Sequence, residues 1–297
     1  DTVATRLVTD GNRVTAVETV HRLSGERRRF SAPQVFLAAG SLATPHLLLA
    51  SGLERYNPSG DLVGRYLQRH YNEIIFGIFP RRPNPEGIFH KQLGIHDYYF
   101  GDPALPELGP KLGGLQQLTT PPAGLVRAEL PRGVGSACAR LVGHLTGWLT
   151  IAEDQPRHEN RVRLDGGLSD RLGMPAAVVS HRHTARDYAA GAALGRRARA
   201  ILRLAGAWAC YRHRVATFSH GVGTVRMGAD PESAPLDPEC RFRGLDNLYV
   251  VDGSVLPTSA AVNPSLTIAA NSLRVARRLV ARTRHAPEIR RRVARHG

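Results

Sequence analysis

The sequence predicts an α/β fold with a second, differently built part, and three observations carry that expectation. Val35-Phe36-Leu37-Ala38-Ala39 and Leu248-Tyr249-Val250-Val251 are short continuous apolar runs, the composition of parallel strands buried on both faces. Gly40 follows the first run and Asp252-Gly253 the second, each ahead of a helix signal, and strand, glycine, helix is half of a βαβ unit. Between them, from about Tyr71 to Ala152, strand-like runs alternate with Pro- and Gly-rich stretches, a change of pattern that marks the second part.

Taken in order, Val3–Leu7 and Val14–Val20 read as strands around the turn Asp10-Gly11-Asn12. After Val35–Ala39 a short helix is expected to open at Thr44, with Thr44 as cap, Pro45 in the first helical position and Gly52 closing it in the left-handed conformation. Ile74–Phe79 and Leu145–Ala152 read as strands, and Arg161–Leu164 and Ala176–Ser180 flank the turn-rich segment 165–173. Thr184 with Asp187 three residues on forms a weak capping box for a helix reaching about Leu204. Asn263-Pro264 opens a last helix, on which Leu266, Ala269, Leu273, Ala276 and Val280 make one apolar stripe with Arg274, Arg277 and Arg278 off it.

Composition bounds the function. The 297 residues are 42% hydrophobic and 22% charged, which argues against disordered and fibrous classes. No apolar run reaches the roughly 18 to 20 residues of a membrane span. Three well-separated cysteines, Cys138, Cys210 and Cys240, exclude a disulfide framework and a CxxC metal site. The net charge of +15 comes almost wholly from arginine and is concentrated in part in the tail from Arg282 to Gly297. Without an aromatic-interleaved basic motif, a zinc finger or a recognition helix, it reads as compositional bias and a solvated tail, not a nucleic-acid surface.

Four places could carry chemistry. Asp252-Gly253, at the carboxyl end of a buried strand, lies where open α/β sheets bind ligands, although Asp-Gly is also a common turn dipeptide. Asn263-Pro264 marks a helix N-terminus, whose free N–H groups attract negative charge. If Asn263 serves a ligand its amide cannot also cap the helix, so the two readings compete. His220, within Ser219-His220-Gly221-Val222-Gly223-Thr224, lacks the neighbours that bury a core histidine and suits a general base open to substrate. His181 and His183 share a face if extended, but no third ligand at sensible spacing is visible and no metal site is expected.

Together these pieces resemble the glucose–methanol–choline (GMC) family of FAD-dependent oxidoreductases. Four blocks carry the resemblance: Gly40-Ser41-Leu42-Ala43-Thr44-Pro45-His46-Leu47-Leu48 through Ser51-Gly52-Leu53, then Leu62-Val63-Gly64-Arg65-Tyr66-Leu67-Gln68-Arg69-His70, then Glu153 to Pro175, and finally His220–Thr224, Asp252-Gly253-Ser254 and Asn263–Thr267. The resemblance implies an α/β FAD-binding sheet domain interleaved with an α+β substrate domain on an antiparallel sheet. FAD-domain pieces would fall at 1–70 and 216–297, with the substrate domain at 71–215. It implies oxidation of the CH–OH group of a small-molecule alcohol, hydride passing to flavin N5. His220 falls on the family's catalytic base and Asn263 on its partner. Asp252, Gly253, Asn263 and Pro264 fall on the flavin side, and Gly40 on the adenosine side.

The chain departs from the family at Glu54, where a glycine is usual, and in having no GxGxxG fingerprint after a strand. It is therefore expected to be the C-terminal portion of a longer enzyme and to hold FAD weakly by itself. A non-catalytic remnant or interaction module is the alternative, and a lyase using FAD structurally is a third reading. Neither the alcohol nor the electron acceptor has a motif in this sequence.

Overall fold

The computed structural model of the chain describes residues 1–88, 91–129, 131, 133–215 and 220–293. The chain opens with an antiparallel hairpin, β1 (Thr2–Asp10) and β2 (Arg13–His21), to which the short exposed strand β3 (Arg27–Phe30) adds an edge. β3 was not legible: it is a charged run with no alternation. β4 (Val35–Leu37) leads into helix α1 (Gly40–Ala50). Next come β5 (Tyr71–Ile78), β6 (Gly94–Ile95), β7 (Gly113–Leu118), the helices α2 (Ala123–Glu129) and α3 (Val134–Arg140), and β8 (Leu145–Ala152). The remainder is β9 (Arg161–Ser169), β10 (Pro175–Ser180), α4 (Ala185–Leu204), β11 (Ala209–Arg214), β12 (Leu248–Val250) and α5 (Ser265–Val293).

The architecture is α/β and α+β interleaved. β12 pairs in parallel with β4, more than two hundred residues earlier, so the two ends of the chain build one unit. Between them, an antiparallel sheet runs in the order β11-β5-β8-β7-β6. Two apolar cores match this division. One gathers Leu47, Leu48, Leu53, Val222, Phe242, Leu248, Val250 and Val275. The other packs Ile75, Leu115 and Trp148 of the sheet against Ala190, Ala193, Leu194, Ala198 and Leu202 of α4. α4 opens on the expected capping box: Thr184 accepts from the Asp187 N–H, and the Asp187 carboxylate accepts from the Thr184 N–H. Among the described residues no helix is long and apolar enough to cross a membrane.

Three expectations change. α1 begins at Gly40, not Thr44, and Pro45 lies inside it. Thr44 does not cap because its hydroxyl is bonded to Asp252. Phe36 is 44% exposed and stacks on Tyr249, because the parallel pair has only two described strands and one face stays open. The stripe foreseen on α5 faces outward, with Leu266 85% and Leu273 58% exposed. α5 packs instead through Ile268, Val275 and Leu279, the residues that meet the first core.

The hairpin is fastened to the parallel pair by Asn247. Its Oδ1 accepts from the Val14 N–H at 2.8 Å, its Nδ2 donates to the Val14 and Pro33 carbonyls, and its own carbonyl accepts from Val35 N–H. The side chain is buried, so truncation strands several backbone groups without water. Asn247→Ala is expected to cost roughly 2–3 kcal/mol in denaturant unfolding, more than a surface Asn→Ala change.

Candidate active site

The site is organised around the turn that follows β12. Asp252 is buried there, and its carboxylate is fully used within the protein. Oδ1 accepts from the N–H and hydroxyl of Ser254, while Oδ2 accepts from the Gly40 N–H at 2.9 Å and from Thr44. The side chain thus ties the α1 N-terminus to the β12 turn, leaving only its backbone to face a ligand. Gly253 is needed by packing: a Cβ there would stand 2.9 Å from the Gly221 carbonyl. Gly40 differs, having φ +85° and nothing within 4 Å of where a Cβ would be.

That open space is what a bulky cofactor needs. α1 starts with no side-chain cap and no acidic residue in its first turn, as suits an anionic ligand. Leu42 and Phe36 leave apolar surface exposed on α1 and β4. These features fit the nucleotide side of FAD.

The segment carrying His220 is strapped on both sides. Val222 and Gln68 exchange backbone hydrogen bonds of 2.9 and 3.0 Å. Across from them, Val225 N–H donates to Ser254 and Met227 N–H to Val255, and Ser41 binds both Gly221 and Thr224. Held this way, His220 takes φ +56°, an uncommon conformation for a residue with a side chain. Its Nδ1 is buried without a hydrogen-bond partner. Burial, and secondarily the charge of Lys91, pulls its pKa below the ordinary histidine value. Ser219 lies outside the described residues.

His70 completes a pair that sequence reasoning did not single out. Its ring is 5.0 Å from that of His220, edge to face, and it is completely buried. Burial first, and His220 second, push its pKa down to about 4, so it is neutral near pH 7. The available signal was its place at the end of the second family-like block.

Asn263 neither caps α5 nor points alone into solvent: its Oδ1 accepts from Gln116 Nε2, on β7 of the antiparallel sheet. Gln116 Oε1 in turn accepts from Lys91 Nζ at 2.8 Å. Lys91 acts electrostatically on His220, and the Val262 backbone, one residue before Asn263, acts on His70. These links bring His220 and Asn263 into one neighbourhood, with Pro264 buried behind Asn263. Gln116 and Lys91 carried no sequence signal, because their part depends on sheet pairing. Beyond this group, His181 and His183 do acquire a third potential ligand, Asp154.

Sequence models of GMC oxidoreductases match residues 1–72 and 156–272. The chain is 32% identical over 280 residues to a 6'''-hydroxyparomomycin C oxidase of Streptomyces lividus, covering 89% of this chain and 48% of that protein. It is 31% identical over 293 residues to a C-glycoside 3-oxidase of Arthrobacter globiformis, covering 94% and 52%. The chain therefore spans about half the length of these relatives. Among solved structures, a formate oxidase of Aspergillus oryzae superposes with a TM-score of 0.71 at 16% identity, covering 95% of this chain and 60% of that one.

The His70 environment predicts an acid-sensitive fold. Its pKa is lowered in the folded protein, so the unfolded chain binds the proton more readily, and stability falls as pH drops from about 6.5 through about 4. Unfolding free energies of wild type and His70→Gln, compared at pH 7 and pH 4, should show wild type losing roughly 3 kcal/mol more than the variant.

Proposed function

We propose that this chain, which belongs to the GMC oxidoreductase family, forms the base-bearing part of an enzyme that oxidises the CH–OH group of a small hydroxylated molecule. The observation that carries the reading is His220: a half-buried imidazole in a strained, doubly strapped segment, with an unpartnered Nδ1 beside a buried, neutral His70. Family members are FAD-dependent flavoproteins. Bound here, the flavin would supply the acceptor for hydride. Gly40, the first turn of α1, the Asp252-Gly253 backbone and the α5 N-terminus after Asn263-Pro264 would hold it.

The chain's own residues handle the proton. A carbon gives up hydride readily only when its oxygen is losing a proton, so the site needs a base that is neutral at working pH. The lowered pKa of His220 keeps it neutral and able to take the hydroxyl proton. His70, uncharged, does not repel the imidazolium that results. Asn263, steadied by Gln116, orients the substrate oxygen without adding a competing charge. Residues 71–215 supply the substrate side, and 1–70 with 216–297 the flavin side. Similarity to a hydroxyparomomycin oxidase and a C-glycoside oxidase supports a hydroxyl-rich donor.

In the flavin-loaded enzyme, His220→Ala is expected to lower kcat by roughly 10² or more. The flavin absorption spectrum should persist, and an unchanged rate would remove His220 from the mechanism. Lys91→Met removes a charge that disfavours protonated His220, so the His220 pKa rises. The acidic limb of the kcat/KM pH profile should therefore move to higher pH; a stationary limb would rule out Lys91 as its modulator.

A further inference from the structure

The junction between β10 and α4 carries a second constellation, joined to the segment bearing His70 but not part of the His220–His70 pair. The chain passes through His181-Arg182-His183 before Thr184 caps α4. Buried Asn160 clamps the middle residue, its Oδ1 accepting from the Arg182 N–H at 2.8 Å and its Nδ2 donating to the Arg182 carbonyl at 3.0 Å. His181 and His183 are thereby both directed to Asp154, which follows β8 and is 0% exposed. His181 Nε2 lies 2.7 Å from Asp154 Oδ2, and His183 Nδ1 lies 3.5 Å from Oδ1. One donor atom from each residue fits within a 4.8 Å set.

Asp154 Oδ1 and His183 Nδ1 are buried and face each other at 3.5 Å, too long for a good hydrogen bond, and neither has another hydrogen-bond partner. Such groups are costly unless something satisfies them. Asp187 Oδ2 is 3.9 Å from His183 Nδ1, but that carboxylate is already engaged by the backbone N–H groups of Thr184 and Gln155. Tyr71 and Tyr188 set their rings edge to face with His183 and wall the cluster. Two imidazoles and one carboxylate suit a tetrahedral divalent ion with bonds of about 2.0–2.2 Å, which sets donor separations near 3.3 Å. Imidazole-rich sites favour zinc-like ions over magnesium or calcium.

We propose that Asp154, His181 and His183 bind one zinc-class divalent cation, with water in the fourth position. Its effect is structural. Asp154 Oδ2 also accepts from the Arg69 N–H at 2.7 Å, and Asp154 N–H donates to Ser259, so the cation fastens the β8 end and the α4 entry to the segment bearing His70.

The test is titration of the untagged, chelator-stripped chain with Zn²⁺ alone, followed calorimetrically. One equivalent is expected at micromolar Kd or tighter, weakened at least tenfold in His183→Asn and in Asp154→Asn. Absence of saturable binding, or equal affinity in both variants, overturns the proposal and leaves Asp154 a hydrogen-bonding bracket only. Should the variants fail to fold by circular dichroism, Co²⁺ added to the unaltered protein decides. An intense visible band of tetrahedral cobalt supports the site, and a spectrum no different from Co²⁺ in buffer refutes it.

Discussion

The buried carboxylate of Asp252 is the constraint on which the rest of the site depends. A charge removed from water must be met by donors, and here four arrive from two segments distant in sequence. Meeting them sets where α1 begins and how the turn after β12 lies. The segment carrying His220 then follows that turn, hydrogen bond by hydrogen bond, from Gly223 to Met227. A single acidic side chain thus sets the frame for the proposed base without touching the reacting atoms.

The site also draws on both cores. His220 and Asn263 belong to the unit built from the chain's two ends, whereas Gln116 stands on the antiparallel sheet and reaches across to Asn263. His70 immediately precedes β5 and lies where one unit passes into the other. On the same sheet, Ile74, Phe76 and Ile78 join Leu145, Tyr211 and His213 around a cavity of about 370 Å³, with Val126 and Cys138 contributed by α2 and α3. Its lining is largely apolar, a surface that can accept hydrocarbon portions of a ligand but offers few groups for fixing hydroxyls.

Local signals account well for the elements whose contacts are local. The hairpin of β1 and β2, strand Leu145–Ala152 and the Thr184 capping box are all decided by neighbours a few residues apart. The motif blocks around His220 and Asn263 were equally visible, since they are contiguous runs. α5 shows where such reasoning stops. Its sequence offers apolar residues on two faces, and periodicity cannot choose between them. Packing against the first core selects Ile268, Val275 and Leu279, leaving Leu266, Leu273 and Val280 on the outer side among the described residues.

By itself, the sequence determined the fold class, most strands and helices, and a histidine and an asparagine in family-like settings. Only tertiary structure decided what those residues touch. Asp252 turns inward, Asn263 meets Gln116, His70 joins His220, and Asp154 closes on His181 and His183. The physical reason is separation along the chain: secondary structure follows interactions within a few residues, but a buried polar group finds its partner wherever folding brings a matching donor or acceptor.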